Sequence, residues 1–153
     1  MKTNALILLL SMFLLSKHAS AQQVPTYDSV LAKKLHADDY GMKQYVLVIL
    51  KAGTVNTTDK KISDSIFQGH MANIKRLAAE NKLVLAGPTG DNERNYEGIF
   101  VFNTGNLDEA KQWLNTDPAV QSKYLDAETY LWYGSAALQE IPELHQKIQK
   151  TSF

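Results

Sequence analysis

The stretch YVLVIL at residues 45–50 puts apolar side chains on both faces of an extended segment, with Tyr45, Leu47 and Ile49 on one face and Val46, Val48 and Leu50 on the other. Its β-branched and aromatic content makes it a strand. A strand with one wet face alternates with polar residues, and this one does not, so both faces are expected to be covered. A polar loop, AGTVNTTDKKI, follows. Helical spacing then runs over residues 63–81, with Ile66, His70, Ile74 and Leu77 on one side, flanked by Ile62, Phe67, Met71 and Ala78. Gln68, Lys75 and Arg76 are expected to point elsewhere. LVLAG at 83–87 reads as a second strand stopped by Gly87-Pro88, TGDNERN as a loop, and YEGIFVFN at 96–103 as a third strand. Asn106 is placed to cap the helix LDEAKQWLN, with Glu109 three residues on completing a capping-box signal. TDPAVQSKY breaks that helix, and AETYLWYGS at 127–135 is the fourth strand.

The order is β-α-β-β-α-β, the split βαβ pattern of a ferredoxin-like α+β domain. Two helices cover one face of a four-stranded sheet. The doubly apolar first strand asks for cover on the other face as well, because a large bare apolar face is unusual on a soluble monomer. Face-to-face pairing of two sheets meets that need, so a homodimer is expected. The alternative is that residues 24–43 or the C-terminal tail fold back over that face.

The ends of the chain carry different signals. Met1-Lys2 is a short basic start, residues 5–15 (ALILLLSMFLL) are almost unbroken apolar, and Ala19-Ser20-Ala21 has the small-x-small form of a cleavage site. This is the pattern of a secretory signal peptide, and the apolar run is too short for a membrane span, which needs about twenty residues. The expected organisation is a signal peptide at 1–21, an N-terminal extension at 22–43, the ferredoxin-like domain at 44–135 and a C-terminal tail at 136–153. The expected location is secreted or periplasmic, with no stable membrane insertion after signal removal. Within the extension, DSVLAKKLHADD suggests a short helix capped by Asp28, with Val30, Leu31 and Leu35 on one side. The tail LQEIPELHQKIQK suggests a turn and a weak amphipathic helix.

Charge and cysteine content narrow the function classes. The full chain is formally neutral, and loss of Lys2 and Lys17 with the leader takes it to −2. The basic residues are scattered, so neither a nucleic-acid nor an anionic-lipid partner is expected. With no cysteine there is no disulfide framework, thiol nucleophile or Cys metal site. His36 and His145 lack spaced ligand partners, and no metal or cofactor is expected. GPTGDN has no following Lys-Ser/Thr and reads as a loop. Ser63 and Ser65 lack a nucleophile-elbow setting. Trp113 and Trp132 fit a core or an interface.

Two residues carry candidate chemistry. His70 sits mid-arc on the apolar side of its helix, where it is either a packed core histidine or the proton-transfer group of a pocket. Asp117 precedes Pro118, a good helix start, so it is either an N-cap alone or a carboxylate free to pair with an imidazole. A His–carboxylate pair in a pocket can take and return a proton near neutral pH. No oxyanion-stabilising arginine is evident.

GHMANIKRLAAENKLVLAGP, followed by EGIFVF, LDEAKQWLNTDPAV and a final aromatic strand, resembles the YciI-like (YCII-related) family over about residues 44–135. The resemblance implies a ferredoxin-like α+β fold of the dimeric α+β barrel type. It implies a His–Asp pair in a pocket at the edge of the sheet, matched here by His70 and Asp117, with Gly87 and Pro88 shaping the pocket wall. The leader and the segment 22–43 depart from the usual pattern of that family. Two function classes stay open: an exported enzyme doing His/Asp acid–base chemistry of lyase or isomerase type on a small organic molecule, and a non-catalytic small-molecule binding or accessory protein using the same pocket.

Overall fold

Four antiparallel strands form one sheet in the order β2-β3-β1-β4 in a computed structural model that describes residues 26–151. Along the chain the elements are α1 (Ser29–Lys34), β1 (Met42–Ala52), α2 (Lys60–Ala79), β2 (Leu83–Pro88), β3 (Tyr96–Phe102), α3 (Leu107–Leu114), α4 (Pro118–Gln121), β4 (Leu125–Ser135), a 3-10 turn (Ala136–Glu140) and α5 (Ile141–Ile148). The core order β1-α2-β2-β3-α3-β4 is the ferredoxin-like α+β arrangement that the sequence pattern predicts, with α4 inserted before β4. The signal-peptide reading of 1–21 lies outside the described residues. Among the described residues, no helix is long and apolar enough to cross a membrane.

The strands and helices run longer than the sequence pattern alone marks. β1 pairs with β4 from Met42↔Ser135 to Ala52↔Leu125, so backbone bonding carries both strands past their apolar centres. α2 starts at Lys60 because Asp59 caps it, accepting a hydrogen bond from Lys61 N at 2.9 Å. The Asn106 side chain caps α3 through Asp108 N and Glu109 N, as expected. The second half of the capping box is indirect, however. The Glu109 carboxylate accepts from the Thr104 hydroxyl at 2.6 Å, and Thr104 in turn accepts from Asn106 N at 3.0 Å.

Val46, Val48 and Leu50 of β1 share the helix-covered face with Leu83, Phe100 and Phe102, packing against Leu77 of α2 and Ala110 and Leu114 of α3. The other face is only partly covered. Leu138 of the 3-10 turn packs on Tyr45, Val84 and Val101, which are buried, so the C-terminal tail does fold back over one end. Leu47, Ile49, Leu85 and Ile99 stay half-buried, and Tyr130 and Trp132 are exposed beside them. α1 contributes Leu35 to the interior at its C-terminal end, while Val30 and Leu31 are exposed rather than sharing that burial.

Candidate functional site: a histidine–aspartate pair between two helices

α2 and α4 approach closely at one glycine. A Cβ on Gly69 would lie 2.9 Å from Cγ of Pro118, inside the limit that real Cβ atoms observe. The missing side chain lets the start of α4 press against α2 one residue before His70. Pro118 fits there because the first helical position needs no N–H donor and favours its fixed φ.

That contact brings the imidazole and the carboxylate together. His70 Nδ1 lies 2.7 Å from Asp117 Oδ2, across 47 residues of sequence. The Asp117 side chain is fully buried (0% exposed), and that of His70 is 14% exposed. The two roles proposed for Asp117 turn out to be compatible, because each oxygen takes one. Oδ1 caps α4 by accepting from Ala119 N at 2.9 Å, and Oδ2 faces the imidazole. Asn73 Nδ2 also points at Oδ2, at 3.5 Å. An ionised carboxylate only accepts, so the hydrogen in the His70–Asp117 bond is donated by Nδ1, and the neutral ring then keeps its lone pair on Nε2. Below the ring lies Phe100, stacked with centroids 5.9 Å apart and an interplanar angle of 18°. An imidazole clamped at Nδ1 and backed by an aromatic face has little rotational freedom, which suits a proton-transfer group.

Asn73 and Arg76 are the residues that sequence reasoning missed. Arg76 does not point away from the site. Its Nη2 donates to Asn73 Oδ1 at 2.7 Å and to Thr116 Oγ1 at 2.8 Å, while Nη1 pairs with Glu80 at 2.9 Å. A guanidinium has no acceptor, so the Asn73 atom facing it is the amide oxygen, and the NH2 group is turned toward Asp117. Asn73 is buried, and its position three residues after His70 was the available signal: a polar residue one turn along from a candidate imidazole. Arg76 thus acts on the pair through Asn73.

Gly87 and Pro88 lie at the end of β2. Gly87 pairs with Ile99, whose side chain is on the sheet face away from His70, and a Cβ at Gly87 would meet nothing within 4 Å. Pro88 pairs with Gly98 and is exposed. Ala86, opposite Phe100, is the β2 residue in register with the ring on which His70 stacks. Trp113 stacks edge-on against Phe102, and Trp132 lies over Gly134 and beside Tyr45 on the other face. Among the described residues, no three His, Cys, Asp or Glu side chains cluster closely enough to hold a metal ion.

The family model of the YCII-related domain matches residues 43–130, more than half of the chain. The chain belongs to the YCII-related family. An uncharacterized protein of Haemophilus influenzae is 35% identical over 82 residues, covering 49% of this chain and 82% of the relative. The chain is also similar in structure to a 5-chloro-2-hydroxyhydroquinone dehydrochlorinase from Burkholderia phenoliruptrix AC1100, solved in complex with 2,5-dihydroxybenzoquinone. That similarity has a TM-score of 0.39 at 17% identity, over 57% of this chain and 90% of the other. The YCII-related match contains all of α2, α3 and α4, and so contains both His70 and Asp117.

Proposed function

We propose that this YCII-related chain is a small acid–base enzyme in which His70 Nε2 takes a proton from a bound organic molecule and Asp117 holds the resulting imidazolium. The observation that carries this reading is the 2.7 Å contact between His70 Nδ1 and a fully buried Asp117 carboxylate. A buried carboxylate with no lysine or arginine ion-pair partner among the described residues is poised to stabilise positive charge on the ring, which forms only when Nε2 accepts a proton. The proton then returns to a different atom of the same molecule, giving isomerisation, or to a leaving group, giving elimination. No electrons change hands in either case, so the chemistry is of lyase or isomerase type.

The test is a thermal-shift screen of small organic molecules, followed by product analysis on every hit. The expected result is at least one hit converted by the wild type and left unconverted, though the fold is intact, by His70→Gln. Ligands that bind unchanged and are never converted would favour the binding-protein reading instead.

Two features of the setting belong to the same proposal. The basic, apolar and small-residue pattern of residues 1–21 supports export, and N-terminal sequencing of native protein should find Gln22 first, whereas retained Met1 would contradict it. The half-covered strip of Leu47, Ile49, Leu85 and Ile99 supports a homodimer built on that sheet face. Light scattering at micromolar concentration should give twice the mature mass, and Ile49→Lys should give the monomer. A wild-type monomer would rule the dimer out.

A further inference from the structure

A cavity of about 550 Å³ lies on the other side of the molecule from His70, between the end of α1, the start of β1 and the C-terminal turn. Its polar centre is the half-buried ammonium of Lys43, which donates to Asn103 Oδ1 at 2.7 Å and to Gln139 Oε1 at 3.4 Å and lies 5.2 Å from the centroid of the Tyr45 ring. These acceptors are all neutral. The acids of the wall are committed elsewhere: Glu140 pairs with Lys34 at 3.0 Å and Glu143 with Lys147 at 2.6 Å. Among the described residues Lys43 therefore has no carboxylate partner, and burial lowers its pKa. A cation partly withdrawn from water without a counter-charge is costly, and a bound anion removes that cost.

The unpaired charge points to the kind of anion. Lys43 has three N–H bonds, and two are used. Asn103 Nδ2 is spent on Asn81 O at 3.1 Å and Gln139 Oε1 at 3.3 Å, and Gln139 Nε2 on Leu35 O at 2.7 Å and Ala136 O at 3.1 Å. Lys34 and His36 also line the cavity, but Lys34 is paired with Glu140, so the lysine left without a carboxylate is Lys43, whose single charge matches that of a carboxylate. Leu35, Val84 and Pro142 supply apolar wall for the rest of the molecule. We propose that this cavity binds a small organic carboxylate, with its CO2− group on Lys43 Nζ and its apolar body against Leu35, Val84 and Pro142. Most of the wall comes from residues 34–36 and 139–143, outside the span that matches the family. The site is therefore separate from the His70–Asp117 pair and does not depend on that pair being catalytic.

Benzoate is the probe, titrated into the purified protein and followed by amide NMR, with benzamide as the neutral counterpart of the same shape. The expected result is saturable shifts of Val84, Asn103 and Gln139 with benzoate and none with benzamide. Lys43→Gln keeps an N–H for Asn103 but removes the charge, and should weaken benzoate by about tenfold or more. The benzamide comparison tests the charge without any substitution, so it stands even if the variant folds poorly. Equal binding of benzamide, unchanged affinity in a folded Lys43→Gln, or no saturable shift with benzoate would each overturn the proposal.

Discussion

Gly69 and Pro118 are in contact so close that a single methyl group on residue 69 would fall 2.9 Å from the proline ring. This contact sets the distance between α2 and α4, and with it the bond between their neighbours His70 and Asp117. Gly69→Ala is the corresponding test. Alanine is favoured in a helix over glycine by about 1 kcal/mol, while overpacking costs about 1–3 kcal/mol. The proline ring cannot rotate aside, so the second effect should win, with a net loss of about 1 kcal/mol in denaturant unfolding. The His70 ring signals should move as well. A stabilised variant with unmoved ring signals would mean that α4 shifts freely and that this contact does not set the geometry.

Asp117 joins the cap of α4 to the chemistry of His70, and two substitutions separate these roles. Asp117→Ala removes the cap and leaves the His70 and Asn73 donors without their acceptor, a loss of about 2–4 kcal/mol. Asp117→Asn keeps an oxygen for Ala119 N but turns an NH2 group toward His70 Nδ1. That forces the ring hydrogen onto Nε2 and removes the base, so activity should vanish; Asn73 Nδ2 loses its acceptor in both variants, but the asparagine keeps the cap's share of the stability. Thermal melts of both variants against wild type check the split, and equal losses would show that the cap and the pair cannot be separated.

Much of this was legible in the sequence, for identifiable reasons. The doubly apolar YVLVIL marked a strand with packing on both faces, and the period of α2 put His70 on the buried side, because burial patterns are local records of packing. The Asp-Pro pair showed where a helix begins. Gly69 was not legible, because its reason is a proline 49 residues away. Arg76 was misplaced for a related cause: its Cα lies off the apolar arc, but its long side chain reaches back along the helix to Asn73 and across to Thr116. Three covers for the second sheet face were open, a second copy of the chain, residues 24–43 and the C-terminal tail, and the structure shows the tail taking one end of it, through Leu138 on Tyr45.

Tyr45 gives the fold a measurable response to alkali. Its ring is buried, and burial pushes its hydroxyl pKa up to about 12, while the hydroxyl donates to Ser135 O at 3.0 Å. The folded pKa is above the unfolded value of about 10. The stabilising contribution is therefore full below pH of about 10 and is lost as pH rises through about 12. Stability measured across that window should fall in the wild type, and Tyr45→Phe should remove that part of the fall. An equally steep fall in the phenylalanine variant would assign the effect to other groups.

His70 can act as a base through Nε2 only if Nδ1 carries the ring hydrogen, and long-range 1H–15N NMR of the imidazole reads this directly. At a pH where the ring is neutral, Nδ1 should appear protonated and Nε2 bare, as donation to Asp117 Oδ2 across 2.7 Å requires. A ring with Nε2 protonated and Nδ1 bare would mean that the outward nitrogen is no base, and would contradict the account.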